Sequence, residues 1–315
     1  MKCFVTGGAG FIGSHLTDAL LKDGHSVVCA DNFLIGKPEN LAHLRNNNNF
    51  IFYETDLAEK ANVNEIFKKE KFDYIFHLAA NSDIRESAKN PEIEYKNTLL
   101  TTYNILECMK LYNVKRLFFS STSAVYGEKI TGPMGEISGP LEPISYYGSA
   151  KLSAEAFIHS FSHMNDFSSL VFRFPNVIGS RLTHGVVYDF IAKLKKDKQN
   201  LEILGDGTQV KPYLHVSDLI NAISHLKNIE ETGVVIYNIG VESKTSVTAI
   251  ADIVCNEMGL KNVNYNYTGG NIGWKGDVPT FEYDLQKIST MGWSAKYTSD
   301  EAVRKTVKEV LTCKL

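Results

Sequence analysis

Along the first half of the chain, short unbroken apolar runs alternate with amphipathic stretches. Lys2–Thr6, Ser26–Ala30, Phe50–Glu54, Tyr74–Leu78, Arg116–Ser120 and Leu170–Phe174 have strand length and too continuous an apolar character to leave one face to water. Between them, Ile12–Asp23, Ala61–Glu70, Glu94–Tyr112 and Ser149–Met164 repeat their apolar residues at helical spacing. Strands of this kind separated by helices predict a parallel sheet covered on both faces, a doubly wound α/β fold. The second half is less regular. Helical spacing recurs at Val187–Lys195, Val247–Met258 and Glu301–Leu311, strands are predicted at Leu201–Leu204 and Val234–Asn238, and a loop at Asn176–Gly185. Turns fill Gly269–Pro279, and the Asn46–Asn49 run reads as a surface loop tip. The pattern therefore predicts a large first domain over 1–175 and a smaller α/β domain over 176–315. Segments near 212–240 are expected to return to the first domain. Neither an internal repeat nor a long linker is present.

The 315 residues are 43% apolar and 22% charged, with a formal charge of −3, which is ordinary for a globular chain. That charge offers no field for nucleic acid or a membrane surface. No apolar run approaches the roughly 18 residues of a membrane span, and the N-terminus breaks into glycines too early for a signal-peptide core. The five cysteines are scattered without a C-x-x-C pair. Cys3 and Cys29 fall inside strand-like runs and read as reduced packing residues, so a cytoplasmic protein is expected. No His, Cys, Asp and Glu cluster has metal-ligand spacing.

The segment Thr6-Gly7-Gly8-Ala9-Gly10-Phe11-Ile12-Gly13 joins the first strand to the first helix. Glycine at 7 allows a tight turn, at 10 the approach of a pyrophosphate, and at 13 close packing of helix on strand. The pyrophosphate would sit on the free amides of the helix N-terminus. Asp31 ends the second strand about 20 residues later, where a carboxylate accepts hydrogen bonds from a ribose. With this context the doubly wound fold becomes a dinucleotide-binding (Rossmann) fold. A carboxylate at 31 would repel a 2′-phosphate, so NAD is expected and not NADP. Lys37 reads as a solvated loop lysine. Asp56-Leu57 stands where an adenine would lie, although Asp56 could equally cap the next helix.

Tyr147 and Lys151 lie four residues apart, on one helix face. A cation beside a phenol favours phenolate, so Lys151 is expected to lower the Tyr147 pKa toward the range of proton transfer. Upstream, Ser120-Ser121-Thr122-Ser123-Ala124-Val125-Tyr126-Gly127 follows an apolar strand and offers hydroxyls to the same substrate oxygen.

These motifs together resemble the extended short-chain dehydrogenase/reductases, and within them the sugar-nucleotide 4-epimerases. The likeness runs nearly end to end, through Asp31-Asn32, His77-Leu78-Ala79-Ala80, Asn97, Arg173-Phe174-Pro175-Asn176, Lys211–Asp218 and Gly276–Pro279. It implies Tyr147 as acid/base, Lys151 as its pKa partner and ribose anchor, and Thr122 as substrate-orienting donor. Cofactor contacts are implied at Gly7, Gly10, Phe11, Ile12, Gly13, Asp31, Asn32, Asp56, Leu57, Leu78, Ala79, Ala80, Asn97, Ser120 and Pro175, besides Tyr147 and Lys151. Substrate contacts are implied at Thr122, Tyr147, Asn176, Val187, Lys211 and Asp277.

The reaction implied is removal of the sugar 4-hydroxyl proton by Tyr147 as the hydride passes to NAD⁺, then return of the hydride to the other face. Related dehydratases carry Asp-Glu after the catalytic Thr; Ser123 and Ala124 stand there and cannot serve as that acid and base. Decarboxylases keep a Glu where Ala124 stands. Epimerases of glucuronate place an arginine near Thr183, with Arg181 close by, so a neutral hexose leads. A 4-dehydrogenase, another branch of the family, or a non-catalytic NAD sensor are the competing readings. Two diphosphate-binding arginines of the best-known galactose epimerases correspond to Lys211 and Trp274, leaving Lys275 or Arg181 as replacements. His77 and His215 read as structural. The helices Glu94–Tyr112 and Ser149–Met164, with Leu99, Leu106, Ala156 and Phe157, resemble those that pair in homodimers of the family.

Overall fold

The computed structural model describes residues 1–128, 132–229, 232–274, 276 and 278–312, with Arg85 described in its backbone alone. Seven strands form one parallel sheet in the order Gly233–Asn238, Ser168–Phe174, Arg116–Thr122, Tyr74–His77, Lys2–Thr6, Ser26–Asp31, Phe50–Glu54. The chain order reverses beside Lys2–Thr6, whose neighbours are the second and fourth strands. Thr6 is in register with Ala30 on one side and His77 on the other. The loops that follow these three strands therefore leave the sheet along one edge, at the switch point where ligands of such sheets bind.

The strands are continuous apolar runs because both their faces are covered. Phe4, Val28, Ile75, Leu117, Phe119 and Val171 belong to one core cluster, which the helix residues Val63, Ile66, Phe67, Ile105 and Ile158 join. Phe4 stacks on Phe72 with ring centroids 4.8 Å apart. Removing such a ring costs about 3–5 kcal/mol.

The chain divides into two compact units. The first is Met1–Val125, Ser145–Arg173 and Ile223–Tyr237; the second is Tyr126–Ile144, Phe174–Ala222 and Asn238–Leu315. In the second unit Tyr213–His215 pairs in parallel with Asn176–Ile178, and Asn264–Tyr267 with Asn200–Ile203. Thr245–Ser246 runs antiparallel to Val210–Lys211. Asn238 ties this unit together: its amide accepts from the Tyr126 hydroxyl at 2.7 Å and donates to the Met134 carbonyl at 2.7 Å.

Several elements differ from the sequence reading. The stretch Glu94–Tyr112 is not one regular helix: Glu92–Glu94 is α, Tyr95–Leu100 is wound as π-helix, and Thr101–Leu111 returns to α. Threonines supply the reason. Thr101 Oγ1 donates to the Lys96 carbonyl five residues back, and Thr102 Oγ1 to that of Thr98. Such side-chain bonds compete with the regular ladder. The expected loop Asn176–Gly185 begins as a strand because it has a partner distant in sequence. The helix Val216–Leu226 follows Tyr213–His215 without a turn signal. No helix among the described residues is long and apolar enough to cross a membrane.

Candidate active site

Gly7 adopts φ +69°, and a Cβ there would meet the Ala79 backbone at 2.9 Å. At Gly13 a Cβ would fall 2.1 Å from the Gly7 carbonyl oxygen, so the helix reaches the strand end only with glycine. The helix Phe11–Lys22 begins at Gly10 with no side-chain cap and no acidic residue in its first turn. Uncapped amides beside a turn that no Cβ obstructs fit the pyrophosphate of a dinucleotide. Thr6 Oγ1 accepts from the amides of both Leu78 and Ala79 at 3.1 Å, which joins the glycine turn to the loop carrying Ala80.

Asp31 is 8% exposed, and its carboxylate already serves the glycine turn. Its Oδ2 accepts from Ala9 N at 3.0 Å and its Oδ1 from Phe33 N at 2.8 Å. Burial pushes its carboxyl upward, against these bonds. The Gly10 amide is a third donor to it, which leaves about one acceptor position of the carboxylate for a ribose hydroxyl. Asn32 and Lys37 are exposed. Asp56 does not cap the next helix, whose N-cap is Glu59. It accepts from Ala58 N and lies 3.3 Å from the Lys96 ammonium. The Leu57 side chain belongs to the apolar core, and its carbonyl accepts from Asn104 Nδ2 at 3.1 Å. Asn97 lies in the π-helical stretch with its amide on the Ile93 carbonyl.

The helix Tyr146–Asn165 starts where the Ser145 hydroxyl accepts from Gly148 N at 3.1 Å. Tyr147, Lys151 and Glu155 follow at intervals of four on one face. Lys151 is 1% exposed; its Nζ donates to the Ser120 carbonyl at 2.6 Å and lies 3.5 Å from Ser120 Oγ. Burial pushes its ammonium down to about 8, while Glu94 and Glu155 act to hold the proton. Tyr147 bonds the Thr122 hydroxyl. Burial first, then the Glu94 carboxylate, pushes its phenol up, and the Thr122 bond works in the opposite direction. The expected net lowering of Tyr147 by Lys151 does not prevail: Lys151 Nζ is turned to Ser120, 6.0 Å from the Tyr147 ring centroid, and burial and Glu94 set the direction. In this arrangement the phenol holds its proton.

Sequence reasoning passed over the groups behind this pair. Arg173 forks onto Glu155 through Nε at 3.0 Å and Nη2 at 2.6 Å, and Ser121 Oγ donates to the same carboxylate. The i+4 spacing from Lys151 was the legible signal. Glu94 lies 1% exposed, with no signal in a stretch that reads as an amphipathic helix. His77 has both ring nitrogens engaged, Nδ1 with Thr6 Oγ1 at 2.7 Å and Nε2 with Thr102 Oγ1 at 2.9 Å. Thr102 donates onward to a carbonyl, so His77 is the neutral Nε2–H tautomer. Burial, then Lys151, pushes it down to about 3.

In the second unit Asn176 is exposed at the head of its strand, after the buried Pro175. Val187 is 0% exposed on the apolar stripe of the helix Val186–Lys196, so its side chain faces the core and only its backbone can meet a ligand. Lys211 Nζ lies 5.3 Å from the Trp274 ring centroid, so the two residues standing for the arginines form one cation–π pair. Lys275 and Asp277 lie outside the described residues. His215 bonds Ser217 Oγ at 2.7 Å and Glu309 Oε2 at 3.2 Å. Among the described residues no group of His, Cys, Asp and Glu could hold a metal ion.

Known proteins are similar to this chain in sequence and fold. A putative UDP-glucose 4-epimerase of Methanocaldococcus jannaschii is 31% identical over 96% of each chain. UDP-arabinose 4-epimerase 1 of Arabidopsis thaliana is 33% identical over 94% of this chain and 75% of its own. The UDP-glucose 4-epimerase of Thermotoga maritima, solved with UDP-glucose, superposes with a TM-score of 0.89 at 32% identity, covering 98% of both chains. Residues 3–240 match the NAD dependent epimerase/dehydratase family, and the chain belongs to that family, with NAD as its cofactor.

Proposed function

We propose that this protein interconverts the 4-epimers of a nucleotide-activated hexose, of the UDP-glucose/UDP-galactose type, with Tyr147 as its acid/base. The observation that carries this reading is the set of half-buried Tyr147 with buried Thr122, Lys151 and Ser120, with Ser123 and Ala124 in place of a dehydratase's acid and base. Bound NAD⁺ supplies a hydride acceptor, its reduced form a donor, and its oxidised ring a positive charge. The residues do the rest. The glycine turn and the uncapped helix at Gly10 hold the pyrophosphate, and Asp31 holds the adenosine ribose. Lys151, already fixed on the Ser120 carbonyl, anchors the second ribose. Thr122 orients the sugar 4-hydroxyl on the phenol, and Tyr147 takes that hydroxyl's proton and returns it when the hydride comes back.

A phenol that burial and Glu94 keep protonated is ready as the acid of the return step. As base it would be favoured by the positive charge that an oxidised cofactor would supply. We assign the first unit to NAD and the second to the nucleotide sugar, with Asn176 and Lys211 on its diphosphate and Asp277 on its nucleotide ribose. Lys211 acts there as a point charge without the fork of an arginine.

We further propose a homodimer formed through the outer faces of Thr101–Leu111 and Tyr146–Asn165. Leu111, Phe157 and Met164 are 68%, 40% and 77% exposed there, and Tyr103 packs edge-on against Phe157. Leu106 takes no part, since it lies in the unit's own core. Four free, buried cysteines suit the cytoplasm.

The test is product analysis by NMR after incubation with UDP-, GDP-, CDP- and dTDP-hexoses and with UDP-arabinose. A 4-epimer of a UDP-hexose, formed without net NADH, is expected. Net NADH would identify a dehydrogenase, loss of water a dehydratase, and exclusive turnover of the pentose would replace the hexose reading.

A further inference from the structure

Glu94 is a buried carboxylate that the mechanism above leaves without a task. It stands at the junction where the α-turn Glu92–Glu94 passes into the π-helical Tyr95–Leu100. Asn81 Nδ2 donates to its Oε1 at 2.8 Å and Thr98 Oγ1 to its Oε2 at 2.7 Å, and Ser87 adds a third bond. Asn81 N in turn donates to Thr98 Oγ1 at 3.3 Å. This small network joins the end of the Leu78–Ala80 loop to the π-helical segment, and both helical pieces pack on the helix that carries Tyr147 and Lys151.

Separate donors meet the two oxygens of Glu94, which a hydroxyl or an amide, with one acceptor oxygen each, would not both answer. The cost is a charge taken out of water. Burial pushes its carboxyl up, and the three hydrogen bonds and the Lys151 ammonium act to keep it ionised. The charged and titratable groups that face it are Lys151 and Tyr147, both from the helix Tyr146–Asn165. Glu155 reaches Lys151 from the same helix, but Arg173 neutralises it. His77 faces Lys151 from its strand and is neutral. On Ile84–Lys89, Glu86 and Lys89 pair with each other at the surface at 2.7 Å. Glu94 is therefore the anion beside the pair that no arginine neutralises, and the Lys151 ammonium is the charge that answers it.

We infer that Glu94 is a positioning residue for this reaction, a buried anion that fixes the loop after the fourth strand and sets the field in which Tyr147 and Lys151 hold their protons. It rests on the assignment of Tyr147 as acid/base. The carboxylate favours the ammonium of Lys151 and the neutral phenol of Tyr147.

The experiment is the pH dependence of kcat for NAD-loaded wild type, Glu94→Gln and Glu94→Asp, with UDP-glucose and UDP-galactose as probes. Gln keeps the size and an acceptor and removes the charge. Its acidic limb should move to lower pH by about one unit, while Asp keeps the wild-type limb. A Gln profile that superimposes on wild type, or that falls uniformly without moving, overturns the inference. Should Glu94→Gln not fold, Thr98→Val removes one donor and lets the carboxylate protonate more readily. It should displace the limb in the same direction and by less, and an unmoved limb there overturns the inference equally. Tyr147→Phe in the same assay separates the two claims. If it is inactive while the Glu94 variants leave the limb in place, the inference fails and the acid/base assignment stands. If it stays active, the assignment itself fails.

Discussion

Each unit of the molecule sets an acidic side chain, a basic one and a ring close together, and the two sets behave oppositely. In the first, buried Lys151 and half-buried Tyr147 face buried Glu94, and desolvation drives the ammonium down to about 8 and the phenol up. In the second, Glu309 accepts from His215, from Lys305 and from the backbone of Ser180. Burial opposes its charge there too, yet the partners outweigh it and hold the carboxyl down to about 2. Partner count per charge makes the difference. Glu309 is answered by several donors, whereas Tyr147 has one neutral hydroxyl and an anion nearby. A group whose surroundings leave it undersupplied can change protonation during turnover, and one held by several donors stays as it is.

The largest effect that could break this contrast is at the phenol. Tyr147→Phe keeps the ring and its packing and removes the oxygen, so turnover should fall by about 10²–10⁴-fold with NAD still bound. Single-turnover NADH formation, followed by absorbance in the folded variant, checks it; near-native rates would move the search for a base elsewhere. His77 could not inherit the role, since both its nitrogens are engaged.

Next in size is the fork behind Lys151. Arg173→Met leaves Glu155 buried at 3% exposure without its partner, and breaking a buried pair costs about 3–5 kcal/mol. The urea midpoint should drop accordingly. The double variant Arg173→Met with Glu155→Leu should recover part of the loss, because no lone charge remains. Lys151→Met leaves Glu94 and Glu155 without the ammonium. The acidic limb of kcat should then move to higher pH, opposite to the effect expected of Glu94→Gln.

What the sequence made legible follows the same division. The glycine turn, Asp31 and the strand ends could be read because they depend on local rules: a φ of +69° at Gly7, a Cβ with no room at Gly13, and apolar runs buried on both faces. Tyr147 and Lys151 were legible from their spacing. The fields around them were not, because Glu94 and Lys151 are brought together by long-range packing of helices. The Asn176–Ile178 strand escaped for the same reason, since its partner lies at Tyr213–His215. The π-helical Tyr95–Leu100 interrupts a stretch whose apolar spacing reads as ordinary helix, and threonine side-chain bonds leave no periodic trace.

The smallest effect concerns the held cluster. Glu309 is depressed in the folded protein from 4.5 to about 2, so its stabilising contribution is fully present above about pH 4.5 and is lost as the pH falls through 2. Over that window stability should decline by up to about 1.4 kcal/mol per pH unit from this group. Glu309→Gln should therefore lower stability at pH 7 by about 1.5–3 kcal/mol, the worth of hydrogen bonds to a charged group. The gap between variant and wild type should close as the pH approaches 2. Both tryptophans, Trp274 and Trp293, lie in the second unit, so their fluorescence reports unfolding where the substitution is made. Trp293 is 5% exposed and donates to Asn221 Oδ1 at 2.9 Å, which makes its emission sensitive to loss of packing. A gap that stays constant from pH 7 to 3 would mean that Glu309 contributes by shape and neutral hydrogen bonding, and the contrast between a held and an undersupplied cluster would lose one of its two terms.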